Sequence, residues 1–580
     1  MSKVFSNKII KFFVDLIYIF ILLIIVAWAL IGKVGFSDIK FLIIPALGVI
    51  TTINLYHSKQ YIFLLLFGLL PLLSILTLKS FILEMPIRME YAVKLIMYSV
   101  GIVNLEILLS SFFSKKKIRT LFLFMLLILS FVPVMVVWGY YAIASSWLNA
   151  EAVLAILQTN ASECYEYLLF NFDLISWLVF IVFIFITYYI ISFNFRSLDC
   201  LNWNKSKLLI IFAIALNVFS IYRGRDNVLT QIFVNTNNYI QEFEKFNKIV
   251  SDRKLNVENL KFTYNKDDEG IYVLVIGESQ NKNHLSAYGY KRETTPWLDA
   301  MQDNLLKFTN AYSCHVQTVP SLAYALTTKN QYNNLEFSAA LSVVDIANAA
   351  DYETFWISNQ TKFGFYDTPT TVIASQADHQ VWLNDNVSVY YDEKILDSLK
   401  NINFNKKSLV VIHLMGSHAN YEERYPNEFN KFTENSIIDR YDNSILYTDF
   451  IIKNIYEEIS KNKNFKAIVY FSDHGEGVDK GLAHDPNKYV IEMAEIPFYM
   501  LLSDDYMIEN DDKVLRLKNS QDKYFTNDLI FNTVLSLMNI KINGMYEAEN
   551  DISSQQYDSN PERFRTLYGK KGLVNSDKVL

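Results

Sequence analysis

The sequence predicts two folds in series: an N-terminal α-helical transmembrane domain of five to seven helices, then a C-terminal α/β domain with a largely parallel sheet. Three observations lead there. Apolar residues concentrate before about residue 223. Short apolar runs alternate with helical patterns from about 263 to 540. Residues able to do chemistry stand just past the ends of those runs. At 580 residues the chain is long enough for more than one domain.

The membrane prediction rests on seven apolar stretches, at 12–32, 40–56, 61–80, 93–113, 119–143, 173–193 and 207–223. Crossing ~30 Å of hydrocarbon takes about 20 residues of helix. The second and seventh stretches are short enough to lie at the interface instead. The first is too long for a cleaved signal peptide, and no small-residue cleavage site follows it. Charge sets the direction. Lys3, Lys8 and Lys11 precede the first stretch; Lys115, Lys116, Lys117 and Arg119 lie between the fourth and fifth; Arg196, Lys205 and Lys207 lie between the sixth and seventh. Seven alternating helices put all three clusters on one side. The loop at 144–172, without Lys or Arg, falls on the other. The positive-inside rule then makes the N-terminus cytoplasmic and everything after 223 external. Five spans give the same final side.

Residues 1–223 are thus the expected membrane domain, and 224–262 a polar linker. In the linker, Ile240, Phe243, Phe246 and Ile249 share one helical face. A helix packed on the soluble domain and a helix lying along the membrane surface both fit. Residues 263–545 form the expected catalytic domain and 546–580 a polar, loosely ordered tail. Strand runs fall at 271–276, 354–358, 408–415, 467–472 and 496–502, and helical patterns at 320–328, 340–350 and 446–460. Buried runs alternating with helices imply a parallel sheet covered on both faces. Ligands bind beyond the carboxyl ends of such strands. Glu278, Gln360, His418, Asp473 and His474 all lie there. The net charge of −7 lacks the basic footprint of a nucleic-acid binder. Three cysteines give no disulfide framework.

Asp473 and His474 follow a strand and precede Gly475, whose freedom helps the backbone turn both side chains toward one ion. Glu278, also at a strand end, is costly there unless paired or ligated. Thr318 opens a helix whose Pro320 suits a first turn. A hydroxyl at that place meets the positive end of the helix dipole, where phosphate oxygens gather. Locally Thr318 reads as a helix cap; its company makes it a nucleophile. Two carboxylates, an imidazole and a hydroxyl form a ligand set for Zn²⁺, with the hydroxyl as the unusual member. Metal-bound Thr318 would attack phosphorus. His418 and His484 are candidates for a second metal, for substrate phosphate or for protonating a leaving alkoxide. Asn359 and Gln360 can offer amide donors to a phosphate, and Lys362 charge. His413, inside a strand, reads as structural. His284 follows Glu278 and stands between pocket and core.

At these residues the chain resembles the phosphoethanolamine transferases of Gram-negative bacteria. The resemblance lies in Val275-Ile-Gly-Glu-Ser279, Tyr288-Gly-Tyr290 and Arg292-Glu-Thr-Thr-Pro296. It continues in His413-Leu-Met-Gly-Ser-His418 with Arg424-Tyr-Pro426, in Tyr441-Asp-Asn443 with Tyr447-Thr-Asp449, and in Phe471-Ser-Asp-His-Gly-Glu476. It implies an alkaline-phosphatase/sulfatase-like fold, with Glu278, Thr318, Asp473 and His474 on zinc and Thr318 as nucleophile. It implies a multi-pass protein of the bacterial inner membrane with its catalytic domain in the periplasm. The donor would be phosphatidylethanolamine and the acceptor lipid A or core oligosaccharide of lipopolysaccharide. Thr159 and Glu163 look like family residues that face the lipid headgroup. Thr318-Val-Pro-Ser-Leu322 resembles the sulfatase Cys-x-Pro-Ser-Arg frame with Thr in place of the modified Cys, which argues against sulfate ester hydrolysis. The cysteine pairs of the colistin-resistance branch are absent from 263–545, where Cys314 is the one cysteine. A phosphoglycerol transferase of the same superfamily and a non-catalytic membrane sensor are the rival readings.

Overall fold

A computed structural model of the chain describes residues 14–21, 23, 42–56, 59–85, 87–148, 152–153, 174–195, 203–248, 262–264, 269–301, 304–361, 368–384, 390–434 and 436–574. The chain divides into two compact units, 1–155 with 165–238, and 156–164 with 239–580.

The first unit is helical. Its helices are α1 (Ile43–Tyr56), α2 (Lys59–Thr77), α3 (Met89–Ser110), α4 (Lys116–Ala144), α5 (Leu174–Phe195) and α6 (Trp203–Gly224). Among the described residues, four helical stretches are long and apolar enough to cross a membrane: Gln60–Ile82, Met89–Ser110, Lys116–Ile143 and Lys207–Gly224. The last was expected to be short and qualifies. α1, at 14 residues, is short as expected. Most of the expected first span, 12–32, lies outside the described residues. Large apolar side chains such as Leu70, Leu129 and Phe185 are each 69 % exposed, as suits a surface that lipid covers. Polar groups turn inward: Ser130 donates to the buried Glu106, and the Trp138 indole donates to Ser74 Oγ at 2.8 Å. Helix α7 (Val228–Lys248) starts earlier than the linker pattern suggested.

The second unit is built on a seven-stranded sheet. Its strands are β1 (Ile271–Gly277), β2 (Leu305–Phe308), β3 (Glu353–Thr361), β4 (His379–Asn384), β5 (Ser408–His413), β6 (Phe465–Ser472) and β7 (Phe498–Leu502). Their order is β2-β7-β6-β1-β5-β3-β4. β1 lies centrally, parallel to both β5 and β6. Only β7 runs against its neighbours. β1, β5 and β7 are buried along their whole length, because helices cover both sheet faces. β2 and β4, which the sequence reading missed, are the two edge strands. β4 reads His-Gln-Val-Trp-Leu-Asn and half of it is exposed, so it shows no continuous apolar run.

Helix α8 (Thr318–Ala325) starts two residues before its predicted place. Helix α9 (Ile437–Ile459) starts nine before its own, behind a capping box in which Ser436 and Asp439 satisfy each other's backbone N–H. Its Ile451, Ile452, Ile455 and Ile459 pack under the sheet, while Ile445 joins a smaller cluster with Leu285 and Tyr421. The segment after 546 overturns the expectation of a loose tail. Ile552, Tyr557, Phe564, Leu567 and Leu573 join the main core. Those anchors are spaced irregularly among polar residues, so no periodicity reveals them.

Candidate metal and nucleophile site

The carboxyl ends of β1 and β6 deliver three ligand side chains to one point. Glu278 leaves β1; Asp473 and His474 leave β6, and all three are buried. Each offers a ligand atom, and these atoms lie within 4.8 Å of one another. His474 Nε2 stands 3.5 Å from Glu278 Oε1 and 3.4 Å from Asp473 Oδ2. Thr318 joins them from the start of α8. Its Oγ1 lies 3.3 Å from both Glu278 oxygens and 3.5 Å from His474 Nε2. The four residues read from the sequence as one set do converge.

The donor set fits a divalent cation. Asp473 Oδ1 accepts from the Ser279 N–H at 3.0 Å and the His474 N–H at 2.7 Å. Asp473 Oδ2 is buried with no hydrogen-bond partner, although it faces His474. Such an orphan is expensive unless an ion takes it. The His474 Nδ1–H donates to Gly475 O at 2.9 Å, which turns the Nε2 lone pair toward the carboxylates. Without a cation the cluster gathers protons instead. Burial raises the Asp473 carboxyl to about 6, with Glu278 adding to the rise. Burial opposes charge on His474, yet Asp473 and Glu278 outweigh it and push the imidazole up to about 10. A metal would replace those protons.

The backbone is shaped to bring these groups together. Ser279, with φ +58°, occupies the left-handed region, an uncommon conformation of the kind found at functional sites. Its hydroxyl donates to Glu278 Oε1 at 2.9 Å. Gly416 has φ +53°, and a Cβ there would stand 2.9 Å from Glu278 N. Gly475 is needed for a different reason from the one expected. Its φ is not positive, but a Cβ would strike Glu492 O at 2.4 Å.

Thr318 is the first residue of α8 and Gln317 its cap, so Pro320 sits in the first turn two positions further in. The helix is tied to the metal ligands through groups the sequence reading missed. Ser321 Oγ donates to Asp473 O at 2.6 Å. Asn527 Nδ2 donates to Ser321 Oγ and to Asp473 O, both at 2.9 Å, and its Oδ1 accepts from Cys314 N. Ser321 was findable, one helical turn after Thr318. Asn527, 206 residues from Ser321, carries no local signal.

The histidines divide. His484 flanks the centre, its ring 4.4 Å from that of His474. Its Nδ1 meets Glu476 Oε1 at 2.8 Å, so a buried carboxylate orients it, again unread in the sequence. His418 is half-buried; burial and Arg424 hold its imidazole below its ordinary range. Neutral His418 suits a ligand or acceptor better than a proton donor. His413 is buried in β5 beside Trp356, as expected. His284 turns away from the metal ligands to Asp442 and Asp479.

Asn359 and Gln360 correct the reading of free amide donors past a strand end. Both lie inside β3, which runs further than predicted. Asn359 Nδ2 donates to Tyr390 O and Asp392 Oδ1, and Gln360 Nε2 to Leu414 O, so their donors brace neighbouring chain. Thr159, Glu163 and Lys362 lie outside the described residues.

A mostly parallel sheet whose strand ends present two carboxylates and an imidazole, with a hydroxyl from the start of a helix beside them, defines a domain of the sulfatase class. The sulfatase family model matches residues 271–540. A putative phosphoethanolamine transferase of Haemophilus influenzae is 30 % identical over 362 residues, 57 % of this chain and 71 % of that protein. Phosphoethanolamine transferase EptC of Escherichia coli is 26 % identical over 503 residues, 76 % of this chain and 83 % of that protein. The crystal structure of the C-terminal periplasmic domain of E. coli EptC in complex with Zn aligns with a TM-score of 0.50 at 28 % identity, over 55 % of this chain and 96 % of that domain. The membrane protein EptA of Neisseria meningitidis shares the fold, with a TM-score of 0.58 at 19 % identity over 85 % of this chain and 98 % of that one. The chain belongs to the phosphoethanolamine transferase family. It is a multi-pass membrane enzyme of that family.

Proposed function

We propose that the protein transfers phosphoethanolamine from phosphatidylethanolamine to lipid A or core oligosaccharide of lipopolysaccharide, from the outer face of the inner membrane. The observation that supports this most is the placement of the Thr318 hydroxyl 3.3 Å from Glu278 and 3.5 Å from His474, at a buried centre with an unpartnered carboxylate oxygen. Zn²⁺ held by Glu278, Asp473, His474 and Thr318 would supply Lewis-acid charge for phosphoryl transfer. A zinc complex of the E. coli EptC domain supports that choice of ion.

Thr318 Oγ1 attacks the donor phosphorus. An Oγ1–P bond forms, the P–O bond to diacylglycerol breaks, and the hydroxyl proton leaves on the released diacylglycerol. The acceptor oxygen then attacks the phosphorus of the phosphoethanolamine-threonine; the new O–P bond forms as the Oγ1–P bond breaks, and the acceptor's proton restores the Thr318 hydroxyl. The fold's part is positioning and charge stabilisation. Ser321 and Asn527 hold the nucleophile's helix to the Asp473 backbone. His484, oriented by Glu476, and neutral His418 stand beside the centre to receive substrate phosphate or a further ion. Thr159 and Glu163 would meet the lipid headgroup. Apolar helices suit a diacyl donor, which stays in the bilayer. The lysine and arginine distribution supports an external catalytic domain.

Mass spectrometry of lipopolysaccharide from cells with and without the gene tests donor group and acceptor together. The expected result is phosphoethanolamine on lipid A or core sugars that depends on the gene and on Thr318. Added phosphoglycerol would replace the donor assignment. Unchanged modification with Thr318→Ala would leave the sensor reading.

A further inference from the structure

The segment that reads as a tail closes over the nucleophile's helix. Arg565–Thr566 and Lys571–Gly572 pair as a small antiparallel ladder, and Tyr568 lies in the turn between them. Leu567 and Tyr568 both adopt left-handed backbone, with φ +53° and +55°. That region strains residues with bulky side chains, so the surroundings must hold it. They do. Phe564 and Leu567 are buried. Gly569 N–H donates to Gln331 Oε1 at 2.8 Å, and Gln331 Nε2 donates to Arg565 O at 3.0 Å.

The strained turn sets Tyr568 against one segment, 314–320. Its N–H donates to Cys314 O at 3.2 Å. Its hydroxyl donates to Pro320 O at 3.0 Å. Thr318 lies between those two carbonyls in the chain. The Tyr568 ring packs 4.9 Å from the His315 ring, in that segment before Thr318, and 4.4 Å from the Tyr324 ring, further along α8. Ser321 and Asn527 anchor this helix to Asp473, and Tyr568 grips it from separate contacts before and after the nucleophile.

We propose that Tyr568 is a positioning residue for Thr318: it clamps residues 314–320 so that Oγ1 keeps its place beside Glu278 and His474. The proposal rests on Thr318 being the nucleophile. The Pro320 carbonyl is in the first turn of α8, so a hydroxyl bonded to it sets that turn's orientation. Misplacing a nucleophile by an ångström can slow transfer by roughly 100-fold. Losing one of several anchors should misplace it by less.

The test uses the full chain in detergent with phosphatidylethanolamine. Tyr568→Phe removes the hydroxyl and keeps the ring and the N–H. The expected result is a roughly 10-fold slower appearance of phosphoethanolamine on Thr318, with KM for the lipid within about twofold. Zinc content and Tm should match the wild type, and amide hydrogen exchange at Thr318, Val319 and Ser321 should quicken. An unchanged rate and unchanged exchange would overturn the clamp. So would a slowing matched by lost zinc or a lowered Tm, which would make Tyr568 a general structural residue. Should Tyr568→Phe fail to fold, Gln331→Leu loosens the turn through Gly569 without touching 314–320. A smaller slowing in the same direction supports the clamp, and none overturns it. If wild-type Thr318 takes no group from the lipid, the parent reading fails. Exchange alone then judges the clamp: faster exchange in the variant supports it, equal exchange overturns it.

Discussion

Two buried histidines of the α/β domain each stand between two carboxylates. His284 places Nδ1 at 2.8 Å from Asp442 and Nε2 at 3.3 Å from Asp479. His474 places Nε2 at 3.4 Å from Asp473 and 3.5 Å from Glu278. The difference is the counter-charge. Arg292 lies 2.8 Å from both Asp442 and Asp439, and Tyr290 donates to Asp442 as well. Around His474, among the described residues, no lysine or arginine pairs with Glu278 or Asp473. One cluster brings its own cation and becomes a brace. The other leaves its two carboxylates without a lysine or arginine, among the described residues, and is the candidate metal site. A buried carboxylate near a histidine is therefore a poor marker of function until its cation is found.

The largest expected effect is at the open cluster. Thr318→Ala should slow transfer by roughly 10³-fold or more, because the group has no other atom to sit on. Zinc should stay bound, since Glu278, Asp473 and His474 remain. Next, Asp473→Asn should lose zinc in a dialysed sample measured by atomic emission. Removing metal from the wild type with a chelator should abolish transfer and lower Tm, and zinc should restore both. At the closed cluster the outcome should invert. Arg292→Met should destabilise the fold by about 2 kcal/mol in denaturant titration, with zinc content unchanged. Zinc loss in Arg292→Met would break the contrast. Smallest is Asn359→Ala. It should cost about 1 kcal/mol of stability and leave the transfer rate within about twofold, since its amide braces Asp392 instead of a phosphate.

The contrast also shows what the sequence could tell. Glu278, Asp473 and His474 were legible because each follows a run that reads as a buried strand, and strand ends in parallel sheets converge. Thr318 was legible because Pro320 marks a helix start and its company suggests a metal. Arg292 reads as part of a family motif, yet its pairing with Asp442, 150 residues on, is a tertiary fact. The same holds for Asn527 and Glu476. Asn359 and Gln360 were misplaced because β3 continues past its last pair with β5, Ser358 with His413, through polar residues to Thr361, which pairs with Asn384 of β4 across a register shift. The segment after 546 was misread because its buried anchors follow no helical or strand period.

A metal-poised Thr318 that takes the lipid's headgroup would carry that group covalently. The most direct measurement incubates purified protein with zinc and phosphatidylethanolamine, quenches in acid, and reads the peptide containing Thr318 by mass spectrometry. Phosphoethanolamine is expected on Thr318 in the wild type and on no residue in Thr318→Ala or in zinc-stripped protein. An unmodified Thr318 peptide from protein that still transfers the group, or the group on another residue, would contradict it.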